Sequence, residues 1–112
     1  MTETLTTDAP RTIYNLIKQT GLPCAYSHFR ESDSPQSPPY IVYIGSGQNT
    51  FSGDNTYIFT RNRYQIEYYF TEKNEATEAT IESLLLANGY QYTKSEDTYI
   101  ESEGVFVIYY QV

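Results

Sequence analysis

The chain has 112 residues, 13 tyrosines, one cysteine, one histidine and a formal net charge of −7. That length supports one modest hydrophobic core and a single domain over 1–112. It excludes an internal disulfide, and the acidic balance argues against phosphate-backbone recognition, which needs clustered Lys and Arg.

The charge is unevenly placed. Residues 1–63 hold five acids and five bases. Residues 64–112 hold nine acids against Lys73 and Lys94, so the whole imbalance falls on that half. Residues 1–9 carry no apolar run, so no secretory leader is expected. No apolar stretch approaches the roughly 20 residues of a membrane span.

In chain order, Asp8 reads as an N-cap and Pro10 as a first-turn residue whose missing N–H costs nothing. A helix then runs to about Gln19, with Ile13, Leu16, Ile17 and Thr20 on one face. Gly21 is the expected left-handed stop, and Pro23 blocks continuation. Cys24 to Phe29 reads as a short strand, with Cys24 as a small buried hydrophobe in a reducing compartment. The polar, proline-punctuated run from Glu31 to Pro39 predicts an extended, mobile loop. Tyr40 to Ile44 is apolar on both faces, which marks a central strand or one abutting a partner. Gly45 to Asn49 permits a bend or bulge.

Ser52 to Asn55 predicts a turn. Tyr57 to Phe70 then reads as one long strand that projects beyond the core. Arg61-Asn62-Arg63 interrupts its apolarity and predicts a bulge or sheet edge. Tyr64, Ile66, Tyr68 and Phe70 share one face. Asn74 caps a second helix from Glu75 to Asn88, with Glu75 and Glu78 at its positive end. Thr77, Ile81, Leu84, Leu85 and Asn88 are expected to face inward, and Glu75, Glu78 and Glu82 outward. Tyr90 to Tyr92 is expected to pair into the sheet. Lys94 to Glu103 reads as an acidic connection, and Val105 to Val112 as the closing strand, which leaves little room for a catalytic tail. The fold class is α+β: two helices on a mainly antiparallel sheet, in the order α-β-β-β-α-β-β.

Catalytic, cofactor and metal residues are not expected. His28 has no second histidine with which to bind a metal. Cys24 and His28 on one strand would lie roughly 13 Å apart, too far for a nucleophile pair. Metal nucleases often place an acid two residues before a strand lysine, but Leu16, Thr71 and Tyr92 occupy those positions. Gly45-Ser46-Gly47 lacks the rest of a phosphate-binding loop, and Ser46 lacks the flanks of a nucleophile elbow. Glu96-Asp97 and the Glu101/Glu103 pair read as solvated acids. The candidate functional residues are those of a subunit interface. Arg61 and Arg63 on a projecting strand end would face Glu75, Glu78 and Glu82 of a neighbour, with apolar support from Tyr57, Phe59 and Leu86.

Several segments resemble tail terminator or tail completion proteins of long-tailed phages of Gram-positive bacteria. They are Pro38-Pro39-Tyr40-Ile41-Val42-Tyr43, Phe51-Ser52-Gly53-Asp54-Asn55-Thr56-Tyr57, Tyr64-Gln65-Ile66-Glu67-Tyr68-Tyr69 leading to Asn88-Gly89, and Tyr99-Ile100-Glu101-Ser102-Glu103-Gly104-Val105-Phe106. The resemblance implies a structural virion protein, not an enzyme, that needs no cofactor. Such proteins form a ring, usually a hexamer, at the head-proximal end of the tail. The ring ends tail-tube polymerisation and joins the tail to the head connector. It implies as partners the chain itself, the major tail tube protein and the head completion or connector protein. DNA would pass through without specific binding, no membrane would be involved, and assembly would take place in the host cytoplasm. The rival expectation is a small acidic binding or inhibitor module of phage or prophage origin that mimics DNA.

Overall fold

The computed structural model describes residues 3–6, 10–30, 37–52 and 57–112, with side chains placed for 13–30, 37–50 and 60–112. The expected Asp8 cap, the Glu31–Gln36 part of the loop and the hairpin turn at 53–56 lie outside the described residues.

The elements are β1 (Glu3–Thr6), α1 (Pro10–Lys18), β2 (Cys24–Tyr26), β3 (Tyr40–Ser52), β4 (Tyr57–Phe70), α2 (Glu75–Ala87), β5 (Thr93–Lys94), β6 (Thr98–Ile100) and β7 (Val105–Gln111). The fold is α+β, and the predicted order of helices and main strands holds. The structure adds the short β1 and resolves the acidic connection into β5 and β6. The sheet runs β2-β3-β4-β7, with β5 and β6 both on the outer edge of β7. The β3/β4, β4/β7, β5/β7 and β6/β7 pairs are antiparallel; β1/β4 and β2/β3 are parallel.

One face of the sheet carries the core. Alternation on β4 turns Tyr64, Ile66, Tyr68 and Phe70 to that side, as their aromatic and branched side chains favour in a half-buried strand. Each of the four is at most 2% exposed. Register brings Ile41, Tyr43, Ile108 and Tyr110 beside them. Both helices close over this face. Ile13, Leu16 and Ile17 come from α1, and Ile81 and Leu85 from α2. Gly21, at φ +81°, stops the first helix as predicted. The Asn74 side chain accepts from Thr77 N–H at 3.1 Å and caps the second.

Two short elements differ from expectation. β2 ends at Tyr26 rather than Phe29, because Ser27 adopts φ +66° and His28 N–H folds back to the Tyr26 carbonyl at 2.7 Å. Tyr90 to Tyr92 does not pair into the sheet. Gly89, at φ +83°, turns the chain so that Tyr90 N–H reaches the Leu85 carbonyl and its ring enters the core. Pairing begins at Thr93.

The long strand projects as expected. β4 meets the closing strand only from Tyr64, which exchanges backbone hydrogen bonds with Val112, onward, whereas it pairs with β3 back to Ile58. Residues 45–52 and 57–63 therefore form an arm beyond the body, flanked by β1. The bend or bulge expected over Gly45 to Asn49 is present on β3, while β4 runs through Arg61 to Arg63 without a bulge of its own. Between Gly45 and Gln48 that strand holds one residue more than its partner, and Gly47 takes φ +105°.

Candidate functional site

Three sites have defined geometry: a carboxylate–lysine cluster under α2, the candidate interface residues, and a groove beside β2.

The cluster is built by the inward face of α2. Positions 78, 81, 82 and 85 have i, i+3, i+4, i+7 spacing, so two glutamates share the face of Ile81 and Leu85. The Glu78 side chain is only 4% exposed. It is bracketed by Lys73 at 2.8 Å and Lys94 at 2.9 Å. Lys73 also reaches Asp97 at 3.0 Å, and Lys94 reaches Glu82 at 2.8 Å. Tyr110 donates to Glu82 at 2.8 Å, and the Tyr92 hydroxyl approaches it at 3.4 Å. Burial alone would raise the Glu82 carboxyl, but hydrogen bonds from Lys94 and Tyr110 outweigh it and hold the group below its ordinary value. Those bonds push the Lys94 ammonium up in turn. Burial, then the Glu82 hydrogen bond, pushes the Tyr110 phenol up. Each carboxylate has cationic or phenolic partners within its own subunit. The arrangement locks α2 to the β5–β7 edge and is not poised for acid–base work.

This corrects the predicted orientation of the second helix. Glu78 and Glu82 face inward, because Lys73 before the helix and Lys94 after it supply the counter-charges. Of the predicted acidic row, only Glu75 is exposed. Arg61 is likewise engaged inside the chain: its guanidinium donates to the Gly89 carbonyl at 3.2 Å and lies 5.0 Å from the centre of the Tyr90 ring. The arginine thus ties the base of the arm to the end of α2. Arg63 is half-buried on the same strand, and Leu86 is 59% exposed. Tyr57 and Phe59 pair through their backbones with Glu3 and Leu5. Of the predicted interface residues, Glu78, Glu82 and Arg61 have partners within the chain, while Glu75 and Leu86 are exposed.

The groove is a feature that sequence reasoning missed. It has a volume of about 500 Å³ between α1 and β2, with Tyr14, Cys24, Tyr26, His28, Phe29 and Arg30 on its walls. Cys24 is half-buried there rather than in the core, and burial pushes its thiol above the ordinary value. Tyr26 is 51% exposed. The signal available in sequence was the crowding of aromatic and basic residues between Tyr26 and Arg30.

Among the described residues no group of three or more His, Cys, Asp or Glu side chains is placed to hold a metal ion. No described helix is long and apolar enough to cross a membrane. A scan against protein-family models, a search of curated proteins and a search of solved structures each returned no match.

Proposed function

We propose that this chain is a structural subunit of a phage tail, acting as a ring at the head-proximal end of the tail that stops tube growth and presents a face to the head connector. The observation that carries the reading is the arm. A hairpin of 13- and 14-residue strands extends past the body, and β7 covers only one end of it. Gly45 to Gln48 and Thr50 on that arm are exposed. β1 lines one side of that arm at residues 57–60, while its β3 side carries no strand among the described residues, so a neighbour lying along β3 would complete it. The segment resemblances set out above and the acidity of residues 64–112 support the same reading. An acidic channel wall would not retain DNA, in keeping with passage of the genome without specific binding. The DNA-mimic alternative is less well supported, because Glu78 and Glu82 are withdrawn into internal ion pairs.

The test is deletion of the chain from a phage or prophage that encodes it. The reading expects tails of uncontrolled length that fail to join heads, corrected by supplying the protein in trans. Tails of normal length carrying heads would refute it.

A further inference from the structure

The two outer edges of the sheet differ in a way that makes them complementary. β2 forms one edge, and β6 with β5 forms the other. Neither edge has a further strand on it among the described residues. Four large hydrophobic side chains are exposed on the described surface, and two of them, Tyr26 (51%) and Tyr99 (53%), lie one on each edge. The charges are opposed as well. The β2 edge carries exposed Lys18, His28 and Arg30, and no acid among the described residues lines its groove. The β6 edge carries exposed Glu96, Asp97, Glu101 and Glu103.

Strand direction and facing agree. β6 runs opposite to β7, β7 runs with β3, and β3 runs with β2. A sheet continued from one copy into the next would therefore set β6 antiparallel to β2. Cys24 and Tyr26 are in register with Ile41 and Tyr43, on the side the helices cover. Tyr99 is in register with Phe106 and packs on its ring at 4.9 Å between centroids, on that same side. Continuation would thus aim Tyr99 into the groove beside α1. Backbone groups are available too. Pro23 carbonyl and Ser27 N–H bond to β3, so strand alternation turns the groups of Cys24 outward.

From this geometry we infer that copies of this chain join head to tail, the β6 edge of one entering the β2 groove of the next, with Tyr99 as the anchor. The antiparallel sense places Glu96 beside Arg30 and Glu101 beside Lys18. Such a contact is heterologous and closes into a ring when its rotation closes. Charge sets partner and register, and the two tyrosines supply the apolar contact. The strands are three residues each, so one junction is small and assembly depends on closure or on a tail-tube template. The inference rests on the ring reading above and names the surface that builds the ring.

The test uses the full chain with Cys24→Ser, Lys18→Cys and Glu101→Cys, which leaves both tyrosines in place, treated with a short bismaleimide both in solution and on assembled tails. A ladder of covalent oligomers is expected, and it should be lost in chains carrying only one of the two new cysteines. In a second arm, Arg30→Glu or Glu96→Arg alone should cut oligomer yield at least tenfold, and the two together in one chain should restore it. A ring present on tails without any 18-to-101 bond would overturn this interface and leave the tail-terminating reading standing. The ladder and the charge rescue, found in a protein with no effect on tail length, would support the interface and refute the function.

Discussion

The cluster under α2 makes an asymmetric prediction about which partner is costlier to remove. Glu78 is 4% exposed, whereas Lys73 and Lys94 are 44% and 34% exposed. Take away the carboxylate with Glu78→Gln, and both lysines regain water while keeping Asp97 and Glu82 as partners. The cost then resembles that of a surface pair, about 1 kcal/mol. Take away both lysines with Lys73→Met and Lys94→Met, and Glu78 becomes an uncompensated buried charge, which costs about 3–5 kcal/mol. For a domain of this size that is a fall of about 12–20 °C in Tm, against about 4 °C for Glu78→Gln. Adding Glu78→Gln to the double lysine variant should recover at least half of the loss, because the stranded charge is gone. Thermal unfolding followed by far-ultraviolet circular dichroism reads all three. A Glu78→Gln variant that melts below the double lysine variant, or a triple variant with no recovery, would refute the reasoning.

Two further outcomes are expected. Leu85, fully buried between α2 and the sheet, should lose about 2–5 kcal/mol on Leu85→Ala, measured by urea unfolding; a change under about 0.5 kcal/mol would show the α2 face misplaced. Stability should also depend on pH in two windows. The folded Glu82 carboxyl lies below its ordinary 4.5, so its contribution is present above that value and is lost as pH falls through the lowered one. Lys94 and Tyr110 are raised above 10.5 and 10.0, so their contributions hold below those values and fade as pH climbs past them. Urea midpoints should therefore decline above about pH 10, and less steeply in a Lys94→Met, Tyr110→Phe variant; parallel alkaline declines would contradict this.

Much of the fold was legible because strong periodicity and explicit stops coincide. Ile13, Leu16 and Ile17 with Gly21, and the alternating run from Tyr64 to Phe70 after a long preceding strand, each have one reading. The orientation of α2 was not legible from apolar residues alone. Two faces of that helix, one through Thr77 and Leu84 and one through Glu78 and Glu82, both contain Ile81 and Leu85. Choosing between them required knowing that Lys73 and Lys94 fold back onto it. These are the only cations among residues 64–112, and both pair with the buried Glu78. The short β5 and β6 were hidden for a different reason. Strands of two and three residues that pair along one long neighbour owe their form to β7, not to their own composition. The groove beside β2 depends on where Ser27 turns the chain, and a serine at positive φ has no local signature.

The extra residue in β3 changes the parity of the hairpin. Up to Gly45, odd-numbered residues of β3 share a side with the core, as Ile41 and Tyr43 do. Beyond it, Gln48 stands opposite Asn62 and Thr50 opposite Thr60, so the even-numbered ones take over that side while β4 keeps a single parity throughout. Body and arm are thus two reading frames of the same strand, joined at Gly47. Removal of Gly47 would leave one residue opposite Arg63 and let the strand run straight, with body and arm keeping the sides they now show. Gln48 would still face Asn62, whose side-chain oxygen it now reaches at 2.8 Å. Length at that one point sets the bend and twist with which the arm leaves the body, and so the direction from which it meets a neighbour.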